Sequence, residues 1–340
     1  MFTKCLQISS VSGDYLQDND DLYCWRNGAV TSIQLNTEET NWIGKIDNTQ
    51  QLFFSDKSSI YPYRQYHCIK KVSKNDGVLC FALEADIFPV SIVDDKIYAE
   101  YDNGEHVYIS ELNLLDFSNK ALFVINQKRL LLSINCFFFL TTGRNTIECH
   151  SLATGAELWK VDVGELGQYE DMKGQMVKGE VSAVFALGDT VVAKVKASVL
   201  VGYSVESGEQ RWLHRFGSGN VYLLAFYEGV FHVFADLYYE IDGASGQILS
   251  KKPYRELLVE ANVKDYWLTT PAVSDKYIAI SSHYDTAILL INRSAFTVEQ
   301  RIALEGCKSG IPLSNAPRLY GNRLYQLDGD GTLHIFEEKE

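Results

Sequence analysis

One pattern recurs along this chain and limits what it can fold into. A short apolar strand leads to a polar turn carrying Thr-Gly or Ser-Gly, and a second strand follows that carries a tryptophan. It reads IECHSLATGAELWKVDV at 147–163 and VLVGYSVESGEQRWLHRF at 199–216. It returns as YYEIDGASGQILS at 238–250, without the tryptophan. The turn glycines Gly155, Gly208 and Gly246 stand 53 and 38 residues apart. A tight turn between two strands needs a positive φ, which glycine adopts at no steric cost. Weaker copies keep the alternation with other turn chemistry. Residues 30–46 keep Trp42, 67–83 hold an Asp76-Gly77 turn, and 107–125 and 287–304 are more degenerate.

Ahead of each clear hairpin lies a second pair of short strands, as at 129–142, 182–195 and 223–236. The unit is therefore four short strands at roughly 40–50-residue spacing, the sequence signature of a propeller blade. No segment reads as a long amphipathic helix. The last unit, 317–338, supplies only three strands, while FTKCLQISS at the start is a spare one. The economical arrangement lets the N-terminal strand complete the last blade, so that the ring closes without inviting edge-to-edge aggregation. Counting this composite gives eight units, or seven if one weak unit is not a separate blade. The expectation is an all-β fold: a single closed β-propeller domain over 1–340, of four-stranded blades, with eight preferred.

The turn motif resembles the repeat of the quinoprotein-like (PQQ-like repeat) β-propeller family. The residues that carry it are Thr154-Gly155-Ala156-Glu157-Leu158-Trp159 and Ser207-Gly208-Glu209-Gln210-Arg211-Trp212, with a partial match at Ser245-Gly246-Gln247-Ile248-Leu249-Ser250. The resemblance implies that Trp159 and Trp212, and more distantly Trp42, pack between blades and girdle the ring. Family enzymes that bind the quinone are exported and use a calcium-linked carboxylate site, often beside a vicinal disulfide. This chain has no adjacent cysteines, so the resemblance implies a fold and not a redox reaction. Non-enzymatic members, an envelope assembly scaffold among them, use the same ring as a docking platform.

Composition narrows the partners. With 44 acidic against 31 basic residues the net charge is −13, which repels a nucleic acid. Only short basic clusters such as Lys70-Lys71 and Lys251-Lys252 interrupt it. Neither nucleic acid nor membrane is an expected partner, since the longest apolar stretches are far too short to span a bilayer. Aromatic residues make up 12%, which favours pleated surfaces. The seven cysteines include no CxxC pair or zinc-spaced cluster. That usage suits a reducing compartment, and a cytoplasmic location is expected.

Motifs for chemistry are absent or fail in detail. Asp328-Gly329-Asp330-Gly331-Thr332 starts like a calcium loop, but its twelfth position is Lys339 where a bidentate Glu is needed, so a Gly-rich hairpin turn explains it better. There is no GxSxG elbow, no GxxxxGK[ST] loop and no GxGxxG fingerprint. His283, beside Tyr284 and Asp285, is the most site-like histidine and reads as a hydrogen-bonded turn residue. No cofactor and no metal are expected.

Three connections are unusually long: 164–180, 251–268 and 305–316. Connections from an outer strand to the next inner strand all run over one face of a propeller, so these three build one raised surface. Glu165, Tyr169, Glu170 and Asp171 fall in the first; Tyr254, Glu256, Glu260, Asp265 and Tyr266 fall in the second, which has room for a short helix over 255–265. Aromatic anchors ringed by carboxylates suit a protein-binding patch. A simpler role for Leu257, Leu258 and Trp267 is to dock the insert onto the ring. The expectation is a non-catalytic propeller that binds a protein partner, basic in character, through this face, as an immunity or inhibitor protein neutralising a toxin would. The alternative is a propeller enzyme, a sugar-directed hydrolase or lyase, with its site at the central channel.

Overall fold

The middle strands of the unit at 272–303 are apolar on both sides, so each needs a neighbour against both of its faces. In YIAISS and AILLIN (Tyr277–Ser282 and Ala287–Asn292) almost every residue is buried. Their side chains alternate between two packing layers: Ile278, Ile280, Leu289 and Ile291 join one apolar cluster, while Tyr277, Ala279, Ile288 and Leu290 join the next. That is the period-2 geometry of a strand placed between two stacked sheets.

A computed structural model describes the chain except residues 45, 47–50, 65–67, 94–95, 117, 135, 172, 218–222, 265–266 and 340, and for 51–54 it describes the backbone alone. Among the described residues the strands form eight four-stranded antiparallel sheets, arranged as a ring. Blade 1 spans residues 11–44, blade 2 51–84, blade 3 86–124, blade 4 128–162, blade 5 181–215, blade 6 223–252 and blade 7 272–303. Blade 8 takes three strands from 318–338 and its outer strand from Phe2–Ile8, which runs antiparallel to Leu333–Glu338. The expected eight-bladed count and the completing N-terminal strand are both found.

The core is laid down as eight apolar wedges, each shared by two successive blades. Each fully buried large side chain in them contributes about 1.5–3 kcal/mol. Outside the core of each wedge lies a girdle. Trp42, Trp159 and Trp212 on outer strands lie over Gly77, Gly208 and Gly246 in the turn of the following blade, all at φ near +70°. A Cβ on any of these glycines would fall 2.3–2.6 Å from an indole atom. The indole N–H of Trp42 donates to Lys74 O (2.6 Å) and that of Trp159 to Val205 O (2.7 Å). Gly155 is covered in the same way by Phe123.

At the closing joint glutamine replaces the aromatic. Gln300 accepts from Phe2 N–H and donates to Phe2 O, both at 2.8 Å, and so clamps the completing strand.

Candidate docking face

The first long connection is held down by its own hairpin. Gln168–Glu170 pairs with Met176–Lys178. Tyr169 is buried there, with Lys196 over its ring and bonded to its hydroxyl (3.3 Å). Lys196 also donates to Glu180 (2.8 Å). Glu165 is exposed and ion-paired to Lys178. The Asp171 carboxylate accepts N–H groups of Lys173 (2.8 Å) and Gln175 (2.9 Å), so it shapes the turn. Glu170 and Met176 face solvent. This insert also explains the uneven glycine spacing, since it adds length between blades 4 and 5 only.

In the second connection a helix covers Arg255–Glu260, shorter than the 255–265 expected. It stops because Asn262 turns left-handed at φ 51°. Val263 N–H then bonds Leu258 O (2.8 Å) and Asn262 N–H bonds Val259 O (3.0 Å), the paired bonds of a Schellman stop. Leu257, Leu258 and Val263 bury against blade 7, and Tyr254 is buried too, donating to Ala235 O (3.1 Å). Glu256 and Glu260 project outward. Asp265 and Tyr266 lie outside the described residues.

Trp267 does not dock the insert: it is 53% exposed, with its backbone left-handed at φ 59°. That conformation costs an ordinary residue about 1–2 kcal/mol. It is held by ladder bonds on both sides, from His283 N–H to Trp267 O (3.1 Å) and from Thr269 N–H to Ser281 O (2.9 Å). The indole meets Tyr284, 52% exposed, edge-on at 6.1 Å. Trp267 and Tyr284 thus make an outward aromatic corner, built from two segments that the sequence separates and the ladder joins.

The third connection is strapped down. His283 Nδ1 bonds Ile311 O (2.8 Å), so this histidine is a turn anchor. Asp330 accepts from Lys308 N–H and from Ser309 N–H and Oγ–H. Asp328 accepts from the N–H groups of Asp330 (2.9 Å) and Thr332 (2.8 Å) and pairs with buried His334 (2.8 Å). The 328–332 segment is therefore a hairpin turn, as its sequence suggests. Cys307, Asp328 and Asp330 could bring ligand atoms within 4.8 Å of one another, as could Glu148, His150 and Glu157. In both groups buried carboxylates are already directed at the protein's own donors. Glu148 is the clearest case: burial alone would raise its carboxyl, but Lys128, Lys160 and Thr142 bond it and hold it near 2.

A cavity of about 380 Å³ is lined by Asp14, Tyr15, Tyr63, Asn315 and Arg318, among others. Arg318 lies over the Tyr15 ring (4.2 Å) and bonds Asp14 and Tyr15 O, so its donors are engaged within the wall. No described histidine lines this cavity.

Carboxylates are spread over both faces of the ring. Connections within blades from first to second and third to fourth strand lie on the opposite face, and Asp20, Asp21, Glu38, Glu39, Glu206 and Glu209 fall there. Carboxylates also stand in turns of the long-loop face, among them Asp236, Asp285, Asp328 and Asp330. Turn chemistry is one cause, because Asp76, Asp116 and Asp242 accept N–H groups two or three residues onward.

No protein-family model matches the chain, and no curated protein sequence does. Solved structures do. BamB from Moraxella catarrhalis, a PQQ-like β-propeller, aligns with a TM-score of 0.68 at 16% identity, over 99% of this chain and 100% of that one. Sqt1 of Saccharomyces cerevisiae gives 0.67 at 11%, over 100% and 98%. The C-terminal WD40 domain of Sif2 gives 0.70 at 9%, over 100% and 99%. What this chain shares with all three is the fold, a closed propeller of four-stranded blades.

Proposed function

We propose that the chain is a non-catalytic docking propeller of quinoprotein-like build that binds a protein partner through its long-loop face. The observation that carries this reading is the Trp267–Tyr284 corner, exposed on a face whose three long connections are each fastened from beneath. Rigid aromatic side chains in the open are costly unless something covers them, and they lose little entropy on binding. Glu256 and Glu260 on the adjoining helix, with Glu170 across the face, supply a carboxylate rim that favours a basic partner. The similarity to BamB and to WD40 propellers fits an interaction scaffold. A finer version is a cytosolic immunity or inhibitor protein that covers the basic cleft of a toxin. Tyr169 and Tyr254 serve the loops rather than the partner in this reading.

The test is capture of tagged protein from its own host lysate at low and high salt, with mass spectrometry of the bound material. The expected result is one stoichiometric basic protein, weakened by salt and lost with Trp267→Ala or Glu256→Lys. An empty capture, or a partner held equally by both variants, overturns the reading.

A further inference from the structure

Every outer strand of a propeller is a sheet edge, and natural sheets guard edges with charge. Lys4, Lys120, Lys160, Arg211, Lys251 and Arg301 stand within six of the outer strands, and Asn41 in a seventh. The outer strand of blade 2, Leu79–Glu84, is different. It reads Leu-Cys-Phe-Ala-Leu before any charge, and it lies at the edge of its sheet beside Cys68–Ser73. Leu79 is 44% and Phe81 41% exposed, and Val78 and Cys80 are exposed as well. Lys71, opposite Phe81 in the ladder, reaches across to Leu114 O (3.1 Å). That contact sets the turn of blade 3 beside the strand. Its Leu115, 81% exposed, extends the apolar surface.

We propose that Leu79–Leu83 accepts an extended strand from a protein partner, which adds to blade 2 as a fifth strand. The ladder would supply affinity and the apolar side chains register, as in other strand additions. The partner's chemistry follows from the borders. Asp76 precedes the strand, Glu84 ends it, exposed and 3.7 Å from Lys70, and Asp116 follows Leu115. The matching segment alternates apolar side chains and carries a basic residue at each end. A second copy is disfavoured, because two chains of net charge −13 repel. The site lies on the rim and is independent of the long-loop face.

The probe is a synthetic cyclic β-hairpin whose outward strand alternates valine and threonine between two lysines, followed by fluorescence anisotropy. Binding to the wild-type protein is expected. It should weaken at least tenfold with Leu79→Lys, and equally when alternate outward amides of the hairpin are N-methylated. Glu256→Lys should bind the hairpin as the wild type does, which separates this site from the long-loop face. Thermal melts confirm that both variants fold. The proposal is overturned by a hairpin that does not bind, or by one that binds Leu79→Lys or its N-methylated form unchanged. It is also overturned if sedimentation shows a wild-type dimer that Leu79→Lys splits, since the occupant is then a second copy.

Discussion

His232 sits fully buried in blade 6 with its Nδ1 2.8 Å from the Tyr238 hydroxyl. Tyr238 has one proton, and it goes to Glu240 (2.7 Å), which also takes Arg293 Nε–H of blade 7 (3.1 Å). His232 Nδ1 must therefore be the donor, leaving Nε2 buried without a partner among the described residues. Burial, and then Arg293, push its pKa down to about 4 against the opposing pull of Glu240. The unfolded chain protonates this ring near 6.5, so the folded state binds fewer protons between those values. Its stabilising effect is complete above pH 6.5 and falls as pH drops toward 4, by at most about 3 kcal/mol. Chemical denaturation at pH 7.5 and pH 5.2 should show that loss before most carboxylates titrate. His232→Gln should flatten the slope; an unchanged slope would assign it to other groups. None of this was legible in the sequence, where His232 is one more histidine alternating with apolar residues.

At the scale of the blade joint, the glycine of one unit and the aromatic of the unit before it form a matched pair. Gly208 tests this. A Cβ there lies 2.6 Å from Trp159 Cδ2, and the backbone is left-handed at φ 70°. Gly208→Ala should cost about 2–5 kcal/mol, the sum of an overpacked contact and a disfavoured φ. Gly229→Ala, at φ 81° with nothing within 4 Å, should cost only about 1–2 kcal/mol. Equal losses by urea denaturation would show that the indole adjusts freely and the pairing is incidental. The sequence made the Trp159 and Trp212 joints readable because their turn glycines are plain. Trp42 over Gly77 was readable more faintly, but the joints where Phe123 covers Gly155 and Gln300 grips Phe2 were hidden, because different chemistry does the same work. The long connections were legible by length, but not by which aromatics they spend inward. Tyr169 and Tyr254 turn in, while Trp267 turns out at a φ that no local pattern announces. Net charge carries no address either: carboxylates stand in the short turns, as at Asp76 and Asp242, and on the long-loop face, as at Glu256 and Glu260.

The ring as a whole is closed by a strand that joins residues 325 to 336 positions apart. Phe2 pairs with Glu338 and Ile8 with Leu333, and the side chains of Phe2 and Ile8 enter the wedges on the two sides of blade 8. The joint is thus a zipper whose loss frees two wedges at once. Deleting residues 1–9 should remove about 3–6 kcal/mol from Phe2 and Ile8 alone and bare Leu333–Glu338 as a new edge. The expected outcome on size-exclusion chromatography is a shift to larger species, with a lower and broader thermal transition. Gln300→Ala keeps the strand but loses its clamp, and should lower the transition while the elution volume stays that of the full chain. A synthetic peptide of residues 1–9 added to the truncated chain should restore the elution volume of the full chain, because the edge it fills is already shaped. A truncated chain that elutes and melts like the full one would mean that the seven covalently complete blades hold the ring without the zipper.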